Sequence, residues 1–461
     1  MPAAASAPTY ARAPDRRDRA TRPVRPGTAP VRALSGPGRR SVAAPASAAF
    51  LWASRPQPDR PGPHHREAGV RVAVVGSGIS GLSCAFYLAE HPGVELVVYE
   101  RDDLFGGRAN TTADGEHCPR IFLDDYNTLL DILRRIVGPD GRSIHDHLRP
   151  LRRFSYIQRY GWVEVSHLYR VFAKEIPLGQ RLRMIRRPRS PLVAEQHPGA
   201  NANRYGSLRN YSRLSLLRMA MSLLRSRTAY AFDGPTRTYL VEPWVRHLTE
   251  RGVAFRAGCQ VMALTPTPGG IAVRAAGGTD LFDAVVVTAF VPDVIPLLAA
   301  SGLPSEVGHV NHTHCKAFTV ELDPAEPILT VAGPAMYCRD GINIVLQSGH
   351  RRCIVLVTRA ASTADDFVLG KVRDLLGLQH PFREVRARDN QLPREAVYAA
   401  SYLRPEAVLP RPVPGLYLAG SYLHNSYPVD SGEGAARTAL AAYRQIRHAY
   451  DLATAPAGRA G

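Results

Sequence analysis

Residues 72–83 read V-A-V-V-G-S-G-I-S-G-L-S, and this run constrains the fold more than any other. Val70–Val75 is a near-continuous β-branched run and reads as a buried strand. Gly76, Gly78 and Gly81 then give the spacing G-x-G-x-x-G. The first glycine permits a tight turn, the second lets a pyrophosphate approach the backbone, and the third lets helix and strand pack closely. A helix from about Ser80 to Glu90 follows; His91-Pro92-Gly93 stops it, and Glu95–Tyr99 is a second strand. The helix N-terminus, opened by Ser80, offers free N–H groups and a positive dipole end to phosphates. Glu100, 19 residues after Gly81, closes the second strand, where an acidic side chain binds adenosine ribose hydroxyls. A glycine-rich loop alone can be only a turn. Here strand, helix, second strand and acidic residue all fall in place, and the βαβ unit implies a parallel sheet. The motif does not by itself separate NAD from FAD.

Two further segments make that separation. R-D-D-L-F-G-G-R follows Glu100 and ends at Arg108. Far downstream stand G-L-Y-L-A-G-S-Y, Gly415–Tyr422, and S-G-E-G-A-A-R-T-A, Ser431–Ala439. Together with the first motif they resemble the FAD-binding signature of the amine oxidase and phytoene desaturase superfamily. The first motif is nearer the amine oxidases and the C-terminal one nearer the plant-type carotenoid desaturases. The resemblance implies FAD as cofactor. It puts Gly107 and Arg108 beside the pyrophosphate and ribityl, and the N–H groups of Gly434 and Ala435 near the flavin C2 carbonyl. A positive end there stabilises anionic reduced flavin. It puts Val261, in C-Q-V-M-A-L, at the adenine edge through its backbone; plain core remains the alternative for Val261. The physical logic agrees, because FAD outreaches one βαβ unit and needs a second backbone platform, supplied by a strand ending at Gly420 and a helix opening near Gly434. The chain departs from the family at Ser421, where an acidic residue is usual. A hydroxyl can still bond a ribityl oxygen, without charge. No cysteine lies near the C-terminal motif, so non-covalent FAD is expected.

The chain has 461 residues, 45% apolar, which suits two intimately joined domains with large cores. The expected class is α/β: a Rossmann-like FAD-binding domain of discontinuous segments with an inserted α+β substrate domain. Residues 67–118, 239–303 and 405–461 form the FAD-binding parts. Residues 119–238 read as a mainly helical insert and 304–404 as a second insert with strands such as Ala317–Leu322 and Cys353–Thr358. Residues 1–66 are rich in Ala, Pro and Arg, lack hydrophobic periodicity, and read as a disordered basic tail.

Lys316 is the catalytic candidate. Of 58 Lys plus Arg only three are lysines, Lys174, Lys316 and Lys371. Lys is a compact donor whose pKa shifts readily on burial. H-T-H-C-K-A-F-T-V resembles the amine oxidase strand whose lysine holds a water at flavin N5, and a lysine in solvent at a strand edge is the alternative. Tyr427, with Tyr422 and His424, sits between the two C-terminal segments and could wall a substrate against the flavin, or be core. His309, His312 and His314 have no carboxylate or cysteine spacing beside them, so no metal is expected. The absence of G-x-S-x-G and H-E-x-x-H leaves a hydrolase unsupported.

The net charge of +18 is localised. Residues 1–66 carry 12 Arg and 3 Asp, and residues 181–237 carry 12 Arg, one Glu and one Asp; the remainder is near neutral. Two patches are not a general nucleic-acid surface. Leu208–Arg227 gives no clean membrane face, because its arginines point both ways around a helix; peripheral lipid contact stays open, since Arg stems snorkel. Six scattered cysteines without C-x-x-C fit a reducing cytoplasm, and Arg39–Arg40 resembles an export signal only weakly, with Pro45 interrupting the stretch behind it. Pro119–Ile136 looks similar to the carotenoid-modifying branch and tilts the substrate towards an isoprenoid. The Arg-rich insert and Lys316 tilt it towards an amine, an amino acid or a carboxylate. A flavin-binding protein without turnover is the third reading.

Overall fold

The computed structural model describes residues 69–138, 140–157, 161–164, 228–303, 312–313, 315–339, 342–357, 364–390, 397–398, 412–423, 427 and 431–452. The tail, residues 1–66, lies outside them, as do His309, His314, His424, Lys174 and the segment Leu208–Arg227.

The βαβ unit forms as expected: β1 Val70–Val75, α1 Ile79–Leu88 and β2 Val94–Tyr99. β1 and β2 pair in parallel from Val70 against Val94 to Val75 against Tyr99. The buried ends of both strands are apolar on both faces, as a sheet covered on two sides requires. Further along the chain come α2 Asn127–Arg135, β3 Arg152–Ile157, β4 Gly161–Glu164 and α3 Glu242–Thr249. β5 Ala254–Arg256 then joins the outer edge of β2. β6 Val261–Thr267, β7 Gly270–Ala275 and β8 Gly278–Phe282 make an antiparallel meander. β9 Ala284–Val287 pairs with the other edge of β1, and α4 Val291–Ala300 follows. β1 is therefore flanked by β2 and β9, and the glycine turn leaves the sheet where strand order reverses. That is where open α/β sheets bind ligands.

The second body is a seven-stranded sheet. Its new members are β10 Cys315–Glu321, β11 Ala335–Arg339, β12 Ile342–Gln347, β13 Arg352–Val357 and, after α5 Asp365–Leu376, β14 Glu384–Asn390. Strand order is β14-β10-β13-β12-β11-β3-β4. The chain returns to the parallel sheet with β15 Leu416–Leu418 on β9, completing the order β5-β2-β1-β9-β15, and α6 Gly432–Ala449 packs on α1.

A mainly helical segment over 119–238 is not met in its described part. One nine-residue α-helix, α2, stands there with five strands: Phe122–Leu123, Leu148–Pro150, β3, β4 and Ala229–Phe232. The reason is tertiary. β3 pairs in parallel with β11, from Arg152 against Ala335 to Ser155 against Cys338, and strand pairing overrides local preference.

The two bodies are joined at a hairpin, Thr111–Thr112 with Gly115–Glu116. A Cβ on Gly115 would stand 2.4 Å from Thr319 Oγ1, so the backbone can lie on β10 only because no side chain intervenes. Glu116 is buried and its Oε1 accepts from Arg352 Nη2 at 2.9 Å, from Thr236 N–H at 2.9 Å and from Thr111 Oγ1 at 2.7 Å. Among the described residues no helix is long and apolar enough to cross a membrane.

Candidate cofactor site

One cavity of about 1050 Å³ is lined by the glycine turn, the loop after β2, the ends of β9 and β15 and the start of α6. Each motif glycine meets a different constraint. Gly76 has φ +103°, a left-handed conformation that side chains resist. A Cβ on Gly81 would lie 1.9 Å from the Gly76 carbonyl oxygen, so this glycine lets α1 close on the turn. A Cβ on Gly78 would meet nothing within 4 Å; the space in front of it is cavity. The turn is held from behind by Thr288, whose hydroxyl reaches the carbonyls of Val75 and Gly76 at 3.0 and 2.9 Å.

Glu100 stands where expected, buried at the cavity wall. Its Oε2 accepts from Ser77 N–H at 2.9 Å and from Ser77 Oγ at 2.5 Å, and Oε1 accepts from Asp102 N–H at 3.1 Å. Ser77 Oγ in turn accepts from Gly106 N–H at 3.1 Å. The carboxylate thus ties the glycine turn to the G-G-R loop and keeps lone pairs for a ligand. Local spacing does not disclose the roles of Ser77 and Thr288, which depend on which loops meet.

Gly107 and Arg108 line the same cavity, and the Arg108 guanidinium lies 3.9 Å from the Phe290 ring centroid. Val261 lines it at the start of β6. At the other end stand Gly420, Ser421 and Ala435. Ser80 Oγ and Asn110 Oδ1 are buried on the lining without a hydrogen-bond partner among the described residues. Buried polar atoms of this kind call for a ligand or water.

Gly434 and Ala435 are arranged differently from the expectation. The Gly434 N–H donates to Ser431 Oγ at 3.1 Å, the N-cap of α6, and the Ala435 N–H donates to the Ser431 carbonyl at 3.1 Å. Both groups are used inside the helix. Helix geometry leaves the N–H groups two residues earlier, at Gly432 and Glu433, as the free ones, and Gly432 lines the cavity.

Lys316 and Tyr427 are not among the lining residues. Residues alternate along β10. Thr319 faces the hairpin, where its Oγ1 accepts from Glu116 N–H, and Cys315 lies beside Asn390, 3.4 Å from its Nδ2; burial pushes the Cys315 thiol up to about 12. Lys316 has the other parity. Its Nζ donates to both carboxylate oxygens of Asp365 at 2.6 and 2.7 Å, at the start of α5, on the face that carries Phe318 and Val320. Tyr427 is buried in the core, edge-on to Tyr126, with its hydroxyl donating to Asp125 Oδ1 at 3.1 Å. Tyr422 is buried beside Phe290, and burial holds its phenol well above the usual range. The cavity wall contributed by the second body is charged instead, with Asp114, Arg120, Arg388 and Asp389.

Comparison with known proteins gives a consistent picture. A family described as flavin containing amine oxidoreductase matches residues 200–447, and one described as NAD(P)-binding Rossmann-like domain matches residues 74–136. The chain is 29% identical over 139 residues to zeta-carotene desaturase of Zea mays, covering 28% of this chain and 23% of that protein. It is 38% identical over 72 residues to 15-cis-phytoene desaturase of Synechococcus elongatus, covering 14% and 15%. These matches span less than a quarter of the relatives' own lengths. Among solved structures, putrescine oxidase bound to putrescine aligns with TM-score 0.55 at 15% identity, covering 82% of this chain and 99% of that one. Cyclohexylamine oxidase from Brevibacterium oxydans aligns with TM-score 0.51 at 14% identity, covering 83% and 99%. At such identities the likeness is one of fold.

Proposed function

Because the chain belongs to the flavin-containing amine oxidoreductase family, we propose that it holds FAD non-covalently in this cavity and uses it to oxidise a polar organic substrate. The observation that carries the reading is the continuity of the cavity from Gly78 to Gly432. It joins a turn shaped for a pyrophosphate to a helix start that can face the far end of a long dinucleotide. The residues fit the group. Gly78 leaves the pyrophosphate its place, Glu100 has lone pairs for ribose hydroxyls, and Ser80 and Asn110 offer unused polar atoms. Arg108 supplies positive charge, and the backbone at Val261 borders the adenine end. When bound, FAD supplies the hydride acceptor. The chain's contribution is to bind and orient. The N-terminus of α6 puts a positive dipole end at the wall, which favours negative charge developing there.

The charged wall of Asp114, Arg120, Arg388 and Asp389 supports a polar substrate over a polyene, since hydrocarbon laid against charged side chains strips them of water at a cost. Family resemblance to the desaturases pulls towards a polyene, and one experiment separates the two. The purified protein should be yellow and acid precipitation should release its flavin into solution. Under anaerobic conditions, amines and amino acids should bleach that flavin while phytoene and carotenes in detergent leave it oxidised. Colour remaining with the pellet would refute non-covalent binding. Bleaching by the polyenes alone would refute the polar substrate.

A further inference from the structure

A fully buried carboxylate that is absent from the cavity lining bears on how the cofactor is held. Glu433, 0% exposed, is the second residue of α6. Its Oε1 accepts from Thr128 N–H at 3.1 Å and from Arg437 Nε at 2.6 Å, and its Oε2 accepts from Leu129 N–H at 2.9 Å. Thr128 and Leu129 open α2, whose own N-cap position, Tyr126, makes no side-chain cap bond. α6 therefore caps α2 with a charged acceptor, at the helix end that favours negative charge.

The neighbouring residue makes this joint a three-way one. A Cβ on Gly432 would stand 2.9 Å from Leu129 Cδ2 and 3.1 Å from Ile79 Cδ1. α1, α2 and α6 thus meet at Gly432, and both Ile79 and Gly432 line the cavity. The body of α6 is anchored independently, through buried Ala436, Ala439, Ala442 and Ile446. Loss of the Glu433 bonds would release the first turn and leave the rest of the helix in place.

We propose that Glu433 is a positioning residue for the cofactor. By pinning α2 to α6 it fixes Ser431 and the Gly432 N–H at the cavity wall, and so sets FAD affinity without touching FAD. The inference rests on the FAD reading. It also makes residues 127–129, outside every cofactor motif, part of the determinants of cofactor binding.

The test is FAD affinity in Glu433→Gln, Gly432→Ala and a control, Val372→Ala, which opens the core beneath α5 far from the joint. A glutamine amide turns a donor towards N–H groups that need acceptors, which strands a buried hydrogen bond. The dissociation constant for FAD, from flavin fluorescence, is expected to rise about tenfold or more in Glu433→Gln. Gly432→Ala should move the same way, and the visible circular dichroism of the bound flavin should change in both. Val372→Ala should lose thermal stability with wild-type affinity and dichroism. If Glu433→Gln does not fold, Gly432→Ala decides. Wild-type affinity and dichroism in the folded joint variants would overturn the proposal whatever their melting temperatures. A wild-type protein that takes up no FAD would instead overturn the functional reading itself.

Discussion

The three glycines of the turn illustrate how far residue-level reasoning reaches. Their spacing suggests three separate duties, and three separate geometries are found: a positive φ at Gly76, open space before Gly78 and backbone contact at Gly81. This makes Gly78→Val an unusually clean variant. Its Cβ has no protein neighbour within 4 Å, so the fold should tolerate it, while a pyrophosphate in the same space cannot. The far-ultraviolet circular dichroism and melting temperature are expected to match wild type, with no flavin absorbance in the purified protein. Flavin retained at the wild-type ratio would mean that the cofactor approaches from elsewhere. What spacing could not disclose is the hydrogen-bond partner of each polar residue. Glu100 is legible as an acidic strand end; that it holds Ser77, and through it the Gly106 loop, is not, because that contact exists only once two loops have met.

At the scale of elements, legibility follows the distance to the packing partner. β1, α1 and β2 pack on one another, and their bounds were readable to within a residue or two. β3 and β4 fall in a stretch whose sequence reads as helical, because the strand that fixes β3, β11, lies far along the chain. β10 was readable as a strand, but not the parity with which it faces the cavity. In a strand one residue of offset exchanges the two faces. Lys316 is not among the residues that line the cavity and is paired with Asp365 on α5 instead. Lys316→Met should then leave flavin reduction and reoxidation unchanged in rapid mixing. It should cost about 1 kcal/mol or less in denaturant unfolding, the ordinary worth of a partly exposed ion pair. A selective loss of oxygen reactivity would return Lys316 to the flavin.

For the molecule as a whole, acid stability should carry the mark of one histidine. His247 on α3 is buried, stacked on Phe86, with Arg251 Nη1 3.1 Å from its Nδ1. Burial, then the charges of Arg251 and Arg135, push its imidazole down to about 4. The folded protein keeps it neutral, whereas the unfolded chain protonates it near the ordinary value of about 6.5. Between these two values the unfolded state binds the extra proton, so this contribution to stability is complete above about pH 6.5 and is lost as pH falls towards about 4. Thermal melts across that range should drop more steeply in wild type than in His247→Gln; parallel curves would remove His247 from the acid response. The parallel sheet has a further consequence for how the protein is made. Its strands come from residues 70–75, 94–99, 254–256, 284–287 and 416–418. On the ribosome, the edge of β1 waits for β9, and the edge of β9 waits for β15, with unpaired strand edges open to misassociation meanwhile. Ser421 and Gly432 emerge later still. A nascent chain can therefore complete its glycine turn early, yet it gains a closed cofactor cavity only once Gly432 has been made, more than 300 residues later.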